Sequence, residues 1–153
     1  EEPPLPEAVS KPCVVQFGTK MYVLGGIGVN GQSQSCYEYD PIWKKYEKKS
    51  DMPEACEGGQ AVPFIDGFLV VGGSGRSCMK YIPDDDAWIQ HSRPSQVHAV
   101  STAFSWDGKI LLCGQEEAEQ YDPEKDQWSS CNGLLSARNS DTHLRMLLFS
   151  ILK

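Results

Sequence analysis

The chain has 153 residues, 40% hydrophobic and 23% charged, which is room for one globular domain and excludes a disordered polymer. Fourteen basic against 21 acidic residues give a formal charge of −7, with no basic stripe of the kind that grips nucleic acid or an anionic membrane. Fourteen glycines and 10 prolines suit short strands and turns better than long helices.

The chain opens at Glu1-Glu2-Pro3-Pro4, without an initiator methionine or an apolar leader, and so reads as a segment of something longer. Its longest apolar run, at 146–149, falls far short of the roughly 18 residues a membrane span needs. The cysteines Cys13, Cys36, Cys56, Cys78, Cys113 and Cys131 stand far apart with no Cys-x-x-Cys, a spacing that favours reduced thiols in the cytoplasm over a disulfide framework.

A repeat then organises the chain. Leu5-Pro6-Glu7-Ala8 returns as Met52-Pro53-Glu54-Ala55, with Pro94 and Leu135 at the same place later on. A first short apolar strand is expected at 14–17, 61–65 and 99–105. It turns through Gly18-Thr19, Asp66-Gly67 and Asp107-Gly108, and Asp-Gly between apolar runs is a strong hairpin signal. Pro63 lies inside such a strand and requires it to be a sheet edge.

The second strand runs into a glycine pair: Tyr22-Val23-Leu24-Gly25-Gly26, Leu69-Val70-Val71-Gly72-Gly73 and Ile110-Leu111-Leu112-Cys113-Gly114. The third ends at Tyr39, Tyr81 or Tyr121, followed by a proline turn. Cys36, Cys78 and Ala118 each precede that tyrosine by three residues, which marks a small packed position. The fourth strand carries Tyr46, Trp88 or Trp128, seven residues after the tyrosine. Trp88 and Trp128 are expected to be largely buried beside their glycine pairs, and Trp43 and Trp106, off that register, more exposed. No stretch shows a capped helical period.

Three four-stranded units follow at about 6–52, 53–93 and 94–134, and residues 135–153 read as a truncated or divergent fourth unit. Serial four-stranded units of this length mean a β-propeller. The set formed by Gly25-Gly26, Gly72-Gly73, Gly114, the three tyrosines and Trp88 and Trp128 resembles the kelch repeat. Departures are Cys113 for a first glycine, Tyr46 for a tryptophan and Ile82 for an aspartate. The resemblance implies an all-β, partial kelch propeller whose blades have the first strand innermost. Three blades leave apolar faces open, so the chain is expected either to pair with further blades or to be aggregation-prone and short-lived.

Chemistry-bearing motifs are few. Gly26-x-Gly28-x-x-Gly31 spells a dinucleotide fingerprint, but a strand-like segment follows where the pyrophosphate needs a helix N-terminus. Asp84-Asp85-Asp86 and the acidic run from Glu116 to Asp126 read as solvated turns and surface. His91, His98 and His143 show no metal spacing. No cofactor, metal or catalytic residue is expected.

What remains is loop surface. In kelch propellers the partner usually docks on the face with two loop sets, here 27–34, 74–77 and 115–116 between second and third strands, and 49–60, 92–97 and 132–139 between blades. Asn30, Gln32, Arg76 and Arg93 are the expected partner-binding residues, the arginines as carboxylate clamps. The resemblance implies a protein-recognition module that serves a cullin-based ubiquitin ligase through a BTB domain outside these residues. An actin-associated scaffold is the alternative, and a kelch-fold oxidase a more distant one.

Overall fold

A computed structural model describes residues 2–98, 101–114 and 117–131. Blade 1 is the antiparallel sheet β1 (Cys13–Phe17), β2 (Lys20–Leu24), β5 (Cys36–Asp40) and β6 (Lys45–Lys49), interrupted after β2 by a small hairpin of β3 (Ile27–Gly28) and β4 (Gly31–Gln32). Blade 2 is β7 (Gly59–Phe64), β8 (Gly67–Gly72), β9 (Ser77–Ile82) and β10 (Ala87–Gln90). Blade 3 is β11 (Thr102–Trp106), β12 (Lys109–Cys113), β13 (Ala118–Asp122) and β14 (Gln127–Ser130). Each sheet keeps chain order, so every connection within a blade is a hairpin. The one helical element among the described residues is a 3₁₀ turn, Pro83–Asp85.

Blade 2 buries apolar side chains on both faces because it is sandwiched between blades 1 and 3, each of which packs on it through one face. Between blades 1 and 2, Val15, Tyr22, Leu24 and Cys36 meet Phe68, Val70, Met79 and Tyr81. Between blades 2 and 3, Val62, Leu69, Val71 and Cys78 meet Ile110, Leu112 and Tyr121. Strand β8 therefore reads as a continuous apolar run, buried at all six positions. Pro63 lies on β7, the edge strand of its sheet, where its missing N–H breaks no ladder bond between two sheet neighbours.

Register corrects two readings. Gly67 is not part of the blade 2 turn: Phe64 pairs with Gly67, so the turn is Ile65-Asp66. A Cβ on residue 67 would lie 1.9 Å from the Tyr81 carbonyl oxygen, so the glycine serves close strand approach. Ile65 takes the left-handed turn position instead, at φ 52. Asp107-Gly108 does form the turn of blade 3, with φ 49 and 70.

In the second reading, Met21, Phe68 and Ile110 face Tyr39, Tyr81 and Tyr121. Gly114 is then the counterpart of Gly25 and Gly72, and Cys113 matches Leu24 and Val71. The first glycine is present in all three blades.

The aromatics lie elsewhere than expected. Trp88 pairs with Tyr81 and Trp128 with Tyr121, at the end of the blade away from the glycines. Both indoles are half-buried and lie against those tyrosine rings at 4.8 and 5.2 Å. Tyr46 does the same with Tyr39 at 4.8 Å. Each indole N–H reaches the preceding blade: Trp88 Nε1 donates to the Ser50 carbonyl at 2.9 Å, and Trp128 Nε1 to that of Ser92 at 2.7 Å.

A carboxylate completes this staple. Asp86 Oδ1 accepts from the Tyr81 hydroxyl at 2.7 Å and from the Ser50 backbone N–H at 2.9 Å. Asp126 Oδ1 accepts from Tyr121 at 2.8 Å and from the Ser92 N–H at 2.9 Å. Asp86 is thus no simple solvated turn residue. Burial pushes both aspartates up, and the bonds from tyrosine and serine outweigh it and hold them below the usual 3.8.

Removing a stapling indole should therefore cost far more than removing an exposed one. Trp88→Ala should lower stability by about 3 kcal/mol. Trp43→Ala, at a site 79% exposed, should cost about 0.5 kcal/mol or less. Urea midpoints of the two variants decide; equal shifts would show that the staple does not hold the blades.

Candidate partner-binding face

One end of the blades carries only the tight turns 18–19, 65–66 and 107–108 between inner strands, together with the turns between outer strands. The other end gathers the loops after the second strands and the crossovers from blade to blade. The glycine pairs let these segments touch. A Cβ at Gly25 would meet the Cys56 carbonyl oxygen at 2.4 Å, and one at Gly73 the Glu57 carbonyl oxygen at 2.7 Å. The Gly26 N–H donates to that Cys56 carbonyl at 2.8 Å, which seats the crossover on blade 1.

Polar side chains then tie the loops together. Gln32, on β4, donates to Glu57 at 3.1 Å and to Ser74 at 3.4 Å, joining three segments. Lys11 pairs with Glu57 at 2.9 Å, and Lys11 and Gln32 hold that carboxyl below its usual range. Arg93 Nη1 donates to the Gly75 carbonyl at 2.7 Å, and its Nη2 pairs with Glu54. Arg76, at φ 54, donates to the Ser95 carbonyl at 2.9 Å. Asn30 stands exposed at the tip of the β3–β4 hairpin.

Gln32, Arg76 and Arg93 therefore lie on one loop face, but the arginines are not bare clamps. Each guanidinium is already engaged by the chain itself. The fingerprint glycines 26, 28 and 31 lead into the β3–β4 hairpin and not a helix, so no helix N-terminus follows them. Loops 115–116 and 132–139, Leu135, His143 and the tail lie outside the described residues.

Glu119 corrects the reading of the acidic run as surface. It is 2% exposed on β13 and ties down the crossover into blade 3. One oxygen accepts from the Ser95 N–H at 2.8 Å and the Ser95 hydroxyl at 2.6 Å; the other accepts from the Gln96 N–H at 3.2 Å and His98 Nε2 at 2.7 Å. Burial raises its pKa, and these donors prevail and hold it below the usual 4.5. The repeat gave no signal for it, since Tyr37 and Met79 stand at the matching places. Glu54 and Glu57 were likewise unmarked, although Glu54 repeats Glu7. Glu7 accepts from the Ser35 hydroxyl at 2.6 Å in the corresponding crossover of blade 1.

Among the described residues no three His, Cys, Asp or Glu side chains are grouped to hold a metal ion. No helix of these residues is long and apolar enough to cross a membrane.

Against this geometry the comparisons agree. The kelch motif model matches residues 10–53, which span blade 1 and the start of the crossover to blade 2. The solved structure of YjhT superposes with a TM-score of 0.72 at 16% identity, over 85% of this chain and 53% of that one, a likeness of fold. Blade 1 matches the kelch motif, and the three described blades form an all-β segment with the kelch-propeller fold. Its sequence is similar to Kelch-like protein 35 of Mus musculus, 32% identical over 117 residues. That match covers 74% of this chain and spans about a fifth (20%) of the relative.

The buried carboxylate gives a pH signature. The folded-state pKa of Glu119 lies below its ordinary 4.5, so its contribution is complete above that pH and is lost as pH falls through the folded value. Glu119→Gln should destabilise the chain at pH 7 by about 2 kcal/mol, through donors left facing a neutral amide. It should also flatten the fall in melting temperature below pH 4.5. An unchanged acid limb in the variant would remove Glu119 from that role.

Proposed function

We propose that this chain is part of the protein-recognition propeller of a BTB-kelch adaptor for a cullin-based ubiquitin ligase, and that the loop face receives the partner. One observation carries the reading: the two loop sets converge at one end of the blades. There they present Arg76, Arg93, Lys11, Glu54, Glu57, Gln32 and Asn30, while the opposite ends of the inner strands are two-residue turns. A rigid sheet scaffold with polar loops on one face is how such folds present a binding surface. The similarity to Kelch-like protein 35 supports the adaptor class. The function is binding without catalysis, exercised in the cytoplasm, and the cullin contact belongs to a BTB domain elsewhere in the full-length protein.

The test uses the full-length protein in cells, with proximity labelling of its neighbours. The ion pair of Arg93 is at the surface, so Arg76→Ala/Arg93→Ala should fold with a cost of about 1 kcal/mol or less per pair. It should lose its propeller-dependent partners about tenfold while keeping the cullin. Trp43→Ala, on the edge of blade 1, should keep both. An unchanged partner set in the double variant would rule out this face as the docking surface. A full-length protein that recovers no cullin would rule out the ligase reading.

A further inference from the structure

The four buried cysteines are of two kinds. Cys36 and Cys78 stand at matching places on β5 and β9, and burial pushes each thiol up to about 12. Such thiols are poor nucleophiles. Cys13 opens β1 and Cys56 lies in the crossover to blade 2, and their sulfurs are 4.0 Å apart with each residue 2% exposed.

The niche around this pair is built for sulfur. A Cβ on residue 59 would lie 2.6 Å from Cys56 Sγ and 3.3 Å from Cys13 Sγ, so the pocket exists because that residue is glycine. Gly73 leaves room in the same way, its Cβ position 3.3 Å from Cys56 Sγ. The Ser77 hydroxyl is completely buried and has no hydrogen-bond partner among the described residues. It neighbours Cys56. The Cys13 thiol, against the cost of burial, and then the Ser77 hydroxyl and the Gly59 N–H favour the Cys56 thiolate and draw that thiol below its ordinary value. The bond with Cys56, together with burial, drives Cys13 up. Cys13 is held in the β1 ladder while Cys56 lies on the crossover beside Gly58-Gly59, so Cys56 is taken as the attacking sulfur and Cys13 as the resolving one.

We propose that Cys13 and Cys56 are a redox-active dithiol that a peroxide oxidises reversibly to a disulfide. The Cys56 thiolate attacks one peroxide oxygen and the O–O bond breaks, giving a sulfenic acid and a hydroxide, which takes up the proton Cys56 had released and leaves as water. Cys13 sulfur then attacks the sulfenic sulfur, the S–O bond breaks, and a second water leaves with the Cys13 proton. Two thiols lose two electrons and two protons, and one peroxide becomes two waters. An external thiol reverses the change by exchange.

Closure moves the sulfurs from 4.0 Å to about 2.05 Å. Cys56 is followed by Glu57 and then Gly58-Gly59, where the crossover can adjust. The new bond would fasten this crossover to β1. Its carbonyl already holds Gly26, and its neighbour Glu57 holds Lys11 and Gln32. An effect on partner binding rests on the reading of that face as a docking surface; formation of the bond does not.

The experiment exposes the folded chain to hydrogen peroxide, blocks remaining thiols under denaturing conditions and maps them by peptide mass spectrometry. A Cys13–Cys56 linked peptide should appear about tenfold faster than any loss of free Cys36 or Cys78, and dithiothreitol should remove the link and return both thiols. In Cys13→Ser, Cys56 should accumulate as a sulfenic acid trapped by dimedone. If that variant does not fold, the unsubstituted chain alone decides. Cys13 and Cys56 still alkylated as completely as Cys36 and Cys78 would overturn the proposal. So would links scattered over all six cysteines.

Discussion

The described propeller depends on one bond system, in which a blade's outer edge grips the backbone leaving the blade before it. Apolar packing between blades is broad and non-directional, and it leaves neighbouring sheets free to slide. The carboxylate of Asp86 or Asp126 takes a tyrosine hydroxyl from its own blade and a backbone N–H from the preceding one. The tryptophan N–H takes the carbonyl of that same serine. Both backbone polar groups of Ser50, and both of Ser92, are thereby satisfied at the blade junction, which pins angle and register together. Bonds to a charged acceptor contribute about 1.5–3 kcal/mol each, nearer the lower figure at this partly wet edge.

The first blade shows how far the device tolerates substitution. Lys44 stands where the aspartates do, in the same left-handed conformation at φ 50 against 46 and 49. The charge has changed sign, and the carboxylate comes from outside the blade. Glu2 accepts from the Tyr39 hydroxyl and pairs with Lys44 at 3.0 Å. The tyrosine keeps an anionic acceptor in all three blades, while the covalent source of that acceptor shifts. Tyr46 stacks on Tyr39 as the tryptophans stack on theirs, without an indole N–H to reach further.

Repetition made the fold legible. Strand order, the glycine turns and the tyrosine positions recur, so errors in one unit are checked by the others. The misreadings came where one residue type serves two purposes. Asp-Gly looked like a turn at 66–67 as at 107–108, yet Gly67 is used for close approach to the Tyr81 carbonyl. Common recurrence ties the tryptophans to the glycines in the sequence, although strand register places them at opposite ends of the blade. The staple itself was visible in principle, as an aspartate five residues after Tyr81 and Tyr121. Glu119 was not, because a buried carboxylate in one blade leaves no periodic trace.

The loop face was legible as a place but not as a chemistry. Exposed arginines in loops suggest open donors; whether a neighbouring loop supplies their acceptors depends on tertiary approach, which spacing does not encode. Here Glu54 occupies Arg93, and Glu57 occupies Lys11 and Gln32. A carboxylate arriving from a partner would therefore compete with carboxylates of the chain. Surface pairs of this kind are worth about 0–1 kcal/mol, so the exchange is nearly isoenergetic in its charges. Discrimination then falls to shape and to the uncharged groups that survive the exchange: the Gln32 amide, Asn30 and the loop carbonyls. The buried carboxylate of Glu119 works the other way. Four donors converge on it out of water, and it holds the crossover into blade 3 in place.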